Sequence, residues 1–222
     1  GYKVGDVAHR QELQKLLAAA KGQPEEYAIH LALLRSLKQA RYSSKPVGHY
    51  GLSKKFYTHF TSPIRRYADF VVHRTLLDEP PRMGVGELEK ISLHISGTER
   101  VAQEAEQESV ELKKIEYFHR QLFDGKLDDL PATVSGVRNF GVFVELTDSL
   151  TRGLVHVSTL EGDFYRYDEV RERLVGNRTK RVIQIGDKVT VQVARVDMAK
   201  RQIDFRIAAF GETEKRLTRA KT

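Results

Sequence analysis

Between Asp128 and Pro131 the hydrophobic period of this chain changes from helical to alternating, and that switch fixes what each side can fold into. Upstream, Leu13, Leu16, Leu17 and Ala20 repeat at three and four. Gly22-Gln23-Pro24 breaks the pattern, and Ile29, Leu33, Leu37 and Ala40 give a second stripe. Ser43 to Tyr50 reads as a loop. Ser62 has the chemistry of an N-cap and Pro63 that of a first helical residue, so a helix is expected from there through Arg65, Arg66 and Asp69 to Leu77, stopped by Pro80-Pro81. A long helix from about Val85 to Phe118 follows, with a kink expected near Gly97. Downstream, short alternating runs occur at 133–137, 140–144, 153–157, 188–193 and 203–207, the last two separated by the turn Asp197-Met198-Ala199-Lys200. Five such strands in roughly eighty residues predict a small barrel. The expected class is α+β: a mostly helical part, 1–127, then a five-stranded barrel, 128–209. The stretch between the third and fourth runs reads as polar, and residues 210–222 as a disordered basic tail carrying Lys215, Arg216, Arg219 and Lys221.

Charge says which partner such a chain suits. The net charge of +7 favours a polyanion, and its distribution says more than the total. From Tyr27 to Ala68 there is no acid, while Arg35, Lys38, Arg41, Lys45, Lys54, Lys55, Arg65 and Arg66 occur there with His30, His49 and His59. Acids then crowd into Glu87 to Glu111. A basic block beside an acidic one is the pattern of a phosphate-facing surface opposed by a solvated helix face. The absence of cysteine excludes disulfides, thiolate metal sites and cysteine nucleophiles, and fits a cytoplasmic protein. No run approaches the length of a membrane span. The start, Gly1-Tyr2-Lys3-Val4, has no initiator Met and no apolar stretch behind it. A piece of a longer protein without a signal peptide is therefore expected.

The barrel block resembles an S1 RNA-binding domain. The residues that carry the resemblance are Val134-x-Gly136-Val137, Asn139-Phe140-Gly141-Val142-Phe143-Val144, Gly153-Leu154-Val155-His156-Val157-Ser158, Gly186-Asp187-Lys188-Val189, and Val196-Asp197 with Arg201-Gln202-Ile203-Asp204. The resemblance implies an OB fold that binds single-stranded RNA on one open face. An exposed aromatic beside a cation reads such a strand at low cost, because each stacked base contributes roughly 1–3 kcal/mol. Phe140 and Phe143 are three apart, so in a regular strand they face opposite ways and one belongs to the core. The resemblance places both near the binding face, with Gly141 allowing a bend. His156 joins that face by resemblance, although a lone histidine in a strand is more often structural. Arg138, Tyr165 and Arg166 are further candidates for RNA contact. Arg152 and Tyr167 are others, and Arg171, Arg173, Arg178, Lys180 and Arg181 form either a backbone-tracking cluster or a solvated loop.

The helical part carries Gly48-His49-Tyr50-Gly51-Leu52 and then the run from Tyr57 through Thr58-His59-Phe60-Thr61-Ser62-Pro63-Ile64-Arg65-Arg66-Tyr67-Ala68-Asp69-Phe70 to Arg74. This resembles the signature of the RNase II/RNase R (RNB) family of 3′→5′ exoribonucleases. In its doubled arginine and uninterrupted S1 pattern it is most like the bacterial RNase R members. Ala68 and Phe70 stand where that family often has Pro and Leu, and neither change touches an expected contact. The resemblance covers nearly the whole chain and implies the C-terminal portion of an RNB domain followed by one S1 domain. It also implies hydrolysis of single-stranded RNA to 5′-mononucleotides, with Arg65 as the clamp on the scissile phosphate and His59, Thr61, Ser62, Arg66 and Tyr67 as RNA contacts. A helix start capped by Ser62 suits that task, since its free N–H groups and dipole favour an anion. Arg66 is left to pair with Asp69 or with a glutamate of the long helix.

The family uses Mg²⁺ held by a closely spaced run of aspartates upstream of this signature. Here Asp6, Asp69, Asp78 and Asp124 are scattered, so no metal ligand is expected within the chain, and the chain alone is expected to be inactive. Glu104, Glu108 and Glu111 share a helical face that reads as a solvated stripe. The missing N-terminal half of the enzyme is the partner this implies. The alternative is a non-catalytic single-stranded RNA-binding protein or adaptor. An S1 protein of the translation or transcription type is disfavoured by the long signature, and a split enzyme with its other half on a separate chain fits it.

Overall fold

The first helix, α1 (Arg10–Ala20), forms on the first apolar stripe and buries Leu13 and Ala20. It pairs with α2 (Glu26–Ser36), which ends before Ala40 is reached. α3 spans Tyr67–Leu77 and α4 spans Val85–Phe123, running unbroken through Gly97 and past the expected end at Phe118. These descriptions come from a computed structural model that covers residues 2, 5, 9–23, 26–77 and 83–211. The basic tail beyond Gly211, with Asp6 and Asp78, lies outside the described residues. By its contacts the chain divides into two units. One takes the chain up to Leu37 and from Glu111 onward, and the other is Lys38–Val110.

In the first unit, β1 (Leu130–Arg138), β2 (Gly141–Leu146), β3 (Arg152–His156), β7 (Lys188–Asp197) and β8 (Gln202–Phe210) close in the order β1-β2-β3-β8-β7. All pairs are antiparallel except β3 with β8, which meet in parallel at Leu154 and Asp204. The core is Val134, Val137, Val142, Val144, Val155, Val191 and Phe205, joined by Ile115 and Phe118 from the end of α4. Val134 and Val137 are three apart and both fully buried, because the register slips between Val134 and Gly136 and that bulge restores the parity of the strand. Where β3 approaches β8 no side chain fits: a Cβ at Gly153 would run into the Ile203 carbonyl and the Phe205 ring.

The stretch read as polar carries a second sheet that the sequence reading did not assign. β4 (Tyr165–Asp168), β5 (Arg173–Gly176) and β6 (Val182–Gln184) pair antiparallel and sit against β1, with Leu174 and Ile183 buried in the barrel core. Leu174 and Ile183 are its buried side chains, Tyr165 and Tyr167 pack partly against the core, and three strands this short show no clear period.

In the second unit, α3 buries Ala68, Asp69 and Val71, and α4 buries Ile95. The loop from Ala40 to His49 is tied to α4 by the Tyr42 N–H, which donates to Ser96 Oγ at 3.0 Å. A cleft of about 700 Å³ opens between that loop, the Val71 and Val72 side of α3, and Leu88 and Ile91 of α4.

Candidate nucleic-acid interface

The outer face of β2 and β3 gathers the aromatic candidates. Asn139 and Phe140 form the two-residue turn between Arg138 and Gly141, which pair with each other. Phe140 is therefore outside the strand and escapes its alternation, so both phenylalanines turn outward, 44% and 37% exposed. Their rings meet edge-to-face with centroids 6.0 Å apart. Phe143 lies over Gly136, its strand partner, where the missing side chain leaves room for the ring. Opposite Gly141 stands His156, exposed, with its Nδ1 accepting from the Ser158 N–H at 3.2 Å and 2.7 Å from the Ser158 hydroxyl. Gly141 allows this close packing, since a Cβ there would strike the Val155 carbonyl. Next along the same face the Glu145 carboxylate accepts from Arg152. Two exposed rings, a fixed imidazole and an ion-paired arginine thus share one face, and exposed rings are the side-chain type on which bases stack.

Arg138 lies at the end of β1, its guanidinium donating to the Val137 carbonyl at 2.8 Å and 3.6 Å from Glu172. Tyr165 and Arg166 lie in β4. The Tyr165 ring packs against the barrel core, and burial pushes its hydroxyl up despite the nearby Arg181, whereas Arg166 is exposed with no partner among the described residues. In the basic cluster, Arg173 binds Asp168 at 2.9 Å and Arg181 stacks over Phe210 at 4.3 Å. Asp163 organises the neighbouring turn: its carboxylate accepts from the N–H groups of Phe164, Arg178 and Thr179 and from the Thr179 hydroxyl. These donors hold the carboxyl far below the usual aspartate range, the Thr179 hydroxyl most strongly. A depressed carboxyl contributes stability that is complete above its unfolded pKa, near about 4, and lost as pH falls through the folded value. Thermal melting of the chain should therefore fall on acidification below about pH 4, and less steeply in Asp163→Asn. Equal slopes in the two proteins would show that the carboxylate does not clamp this turn.

The helical unit places the remaining candidates differently from expectation. Ser62 does not cap α3. The segment 62–66 is a turn ahead of the helix, with the Ser62 carbonyl accepting from Arg65 N–H at 3.2 Å and Arg66 N–H at 3.0 Å. Both arginines thus precede α3 and are not in its first turn. Asp69, fully buried, closes that turn: its Oδ2 accepts from the Ser62 N–H at 2.7 Å and from Arg66 at 2.8 and 3.2 Å. Burial opposes the charge, but these donors outweigh it and hold the carboxyl below its usual range. Arg65 is exposed and has no partner among the described residues. Thr61 is also exposed. Tyr67, half-exposed, stacks on Phe70 at 6.0 Å. His59 is engaged: its Nδ1 lies 2.7 Å from the Tyr42 hydroxyl, with Tyr57 edge-on at 5.9 Å. Tyr42, which sequence reasoning missed, sits in a stretch with no periodicity to mark it.

Among the described residues no three His, Asp or Glu side chains gather to hold an ion. Glu104 and Glu111 lie exposed along α4. The described residues thus do not fit a divalent-metal centre. No helix among them is long and apolar enough to cross a membrane.

The two segments match two family models, the RNB domain over residues 3–79 and the S1 RNA binding domain over residues 126–208. That pairing sets the class, an RNB–S1 protein. The chain is 42% identical over 213 residues to ribonuclease R of Thermotoga maritima, covering 91% of this chain and 29% of that protein. It is 35% identical over 216 residues to ribonuclease R of Escherichia coli, covering 90% and 26%. The apo form of Mycoplasma genitalium RNase R superposes with a TM-score of 0.71 at 26% identity, covering 88% of this chain and 31% of that one. The same enzyme in complex with ribose methylated single-stranded RNA gives 0.72. The chain belongs to the RNase II/RNase R (RNB) family, and it spans less than a third of the length of these relatives.

Proposed function

We propose that this chain is the RNA-guiding part of a 3′→5′ exoribonuclease that hydrolyses single-stranded RNA to 5′-mononucleotides in the cytoplasm. Residues 1–127 then form the C-terminal portion of an RNB domain, 128–209 the S1 domain and 210–222 a basic tail. The observation that carries the reading is the exposed Phe140, Phe143 and His156 platform on one face of the barrel. A single strand stacks its bases there, and no paired duplex offers its bases in that way. Arg65 presents an unpartnered fork of donors, the geometry that grips a phosphate in two places. On the scissile phosphate it would stabilise charge that grows towards the transition state. His59, Thr61, Ser62 and Tyr67 would add contacts to the RNA, and Arg66 shapes the turn from which Arg65 projects. Mg²⁺, held by carboxylates beyond the described residues, would supply the activated water. The partner of the helical unit is the remainder of the RNB domain, which would cover Phe56, Ile64, Leu76 and Leu77, all well exposed here.

Single-stranded RNA added to the purified 222-residue chain with Mg²⁺ should bind and stay intact. For about four engaged phosphates, affinity should drop about fiftyfold between about 50 and about 200 mM salt. Stepwise 3′ shortening on a gel would show that the chain holds its own metal site. No binding at low salt would remove the reading altogether. A longer form, extended to its relatives' length, that binds without cutting would leave a non-catalytic adaptor.

A further inference from the structure

Among the described residues Asp69 is the fully buried acid, and one of its oxygens, Oδ1, has no hydrogen-bond partner. Burying a carboxylate is costly unless it organises its surroundings. What Asp69 organises is a single turn. Its Oδ2 accepts from the Ser62 N–H at one end and from the Arg66 side chain at the other. Within that loop the Ser62 carbonyl receives the N–H groups of Arg65 and Arg66. Of the three residues between the two anchors Pro63 is partly buried, while Ile64 and Arg65 point outward, with Ile64 fully exposed and the Arg65 side chain unpartnered among the described residues.

We propose that Asp69 is a positioning residue: by closing the Ser62–Arg66 turn at both ends, it fixes the backbone from which Arg65 meets an RNA phosphate. The inference rests on the function proposed above, in which Arg65 is the phosphate clamp. Asp69 also keeps Arg66 from competing. Tied to the carboxylate, Arg66 is held away from the anion that Arg65 receives, so one guanidinium of the pair is selected by its neighbour's ion pair. Asp69 occupies the first turn of α3, where a negative charge also suits the helix dipole. A role confined to that helix would affect stability alone.

Coupling separates the two roles. Binding of a fluorescein-labelled single-stranded oligo(A) RNA to the 222-residue chain is measured over a salt series for wild type, Arg65→Ala, Asp69→Asn and the double variant. Arg65→Ala should weaken binding on the order of tenfold and reduce the salt slope by about 0.7, one phosphate contact on a single strand. Asp69→Asn should reproduce most of both changes, and the double variant should bind no worse than Arg65→Ala. Additive losses, or an unchanged slope in Asp69→Asn, overturn the inference even if melting temperature falls. If circular dichroism shows that Asp69→Asn is not folded, Arg66→Gln opens the same turn from its other anchor and should show the same absence of additivity with Arg65→Ala. RNA binding that Arg65→Ala leaves untouched but Phe143→Ala weakens would overturn the Asp69 role while sparing the barrel as the RNA surface. A chain that binds no RNA at all would sink both.

Discussion

Truncating Phe205 to alanine should cost the barrel about 3–5 kcal/mol, the range for deleting a fully buried aromatic ring. Phe205 is 1% exposed, sits in β8 opposite Val193, and its ring fills the space that Gly153 leaves empty. The backbone of β3 cannot collapse into the void, because its pairing with β8 fixes the distance between them. A domain stabilised by 5–15 kcal/mol loses a large share of its margin in such a change. Urea unfolding followed by far-ultraviolet circular dichroism would show a lower midpoint with an unchanged slope. Phe164→Ala is the control. That side chain is 85% exposed, and its removal should stay within about 0.5 kcal/mol. Equal effects from the two substitutions would mean that the ring of Phe205 is not the centre of the core.

The double variant Phe140→Ala/Phe143→Ala should lose 10²- to 10³-fold in affinity for single-stranded RNA, on the order of 1–3 kcal/mol for each stacked base. The rings touch, so the two single changes should not add up fully. Neither ring meets a phosphate in this reading, so the dependence of binding on salt should be unchanged, unlike the effect expected of Arg65→Ala. Both side chains are more than a third exposed, so the melting temperature should move little. Wild-type affinity in a folded double variant would move the RNA surface elsewhere, with exposed Arg166 on the three-stranded sheet the next place to look.

Much of this was legible because burial leaves a periodic trace. Val142 and Val144 flank outward-facing Phe143, and the strand expected at 140–144 is present as β2, which begins after Phe140 and runs on to Leu146. The trace fails where few positions are buried. β4, β5 and β6 are three or four residues long, and one fully buried apolar side chain in each of β5 and β6 cannot reveal a period. Capping chemistry misled for a different reason. Ser62-Pro63 has the right residues to open a helix, but the segment 62–66 closes as a separate turn on a buried carboxylate seven residues on, and the helix starts at Tyr67. That contact is set by the fold and leaves no local mark. The candidate site followed the same division. Phe140 and Phe143 were recognisable as a pair, whereas their common face depended on a two-residue turn that strand parity alone does not anticipate.

The barrel's closure has a consequence for the order in which the chain can be made and folded. β1, β2 and β3 are sequential hairpins whose contacts are local, and such contacts form early. Closure waits for β7 and β8, which follow the three-stranded sheet in the chain and meet β1 and, at Leu154 and Asp204, β3. On the ribosome, then, the meander bearing Phe140, Phe143 and His156 emerges first and stays an open, one-sided sheet until the last strand arrives. Until then the β1 and β3 edges of that meander lack their partners, a period of vulnerability to wrong strand pairing that ends when β7 and β8 close the barrel.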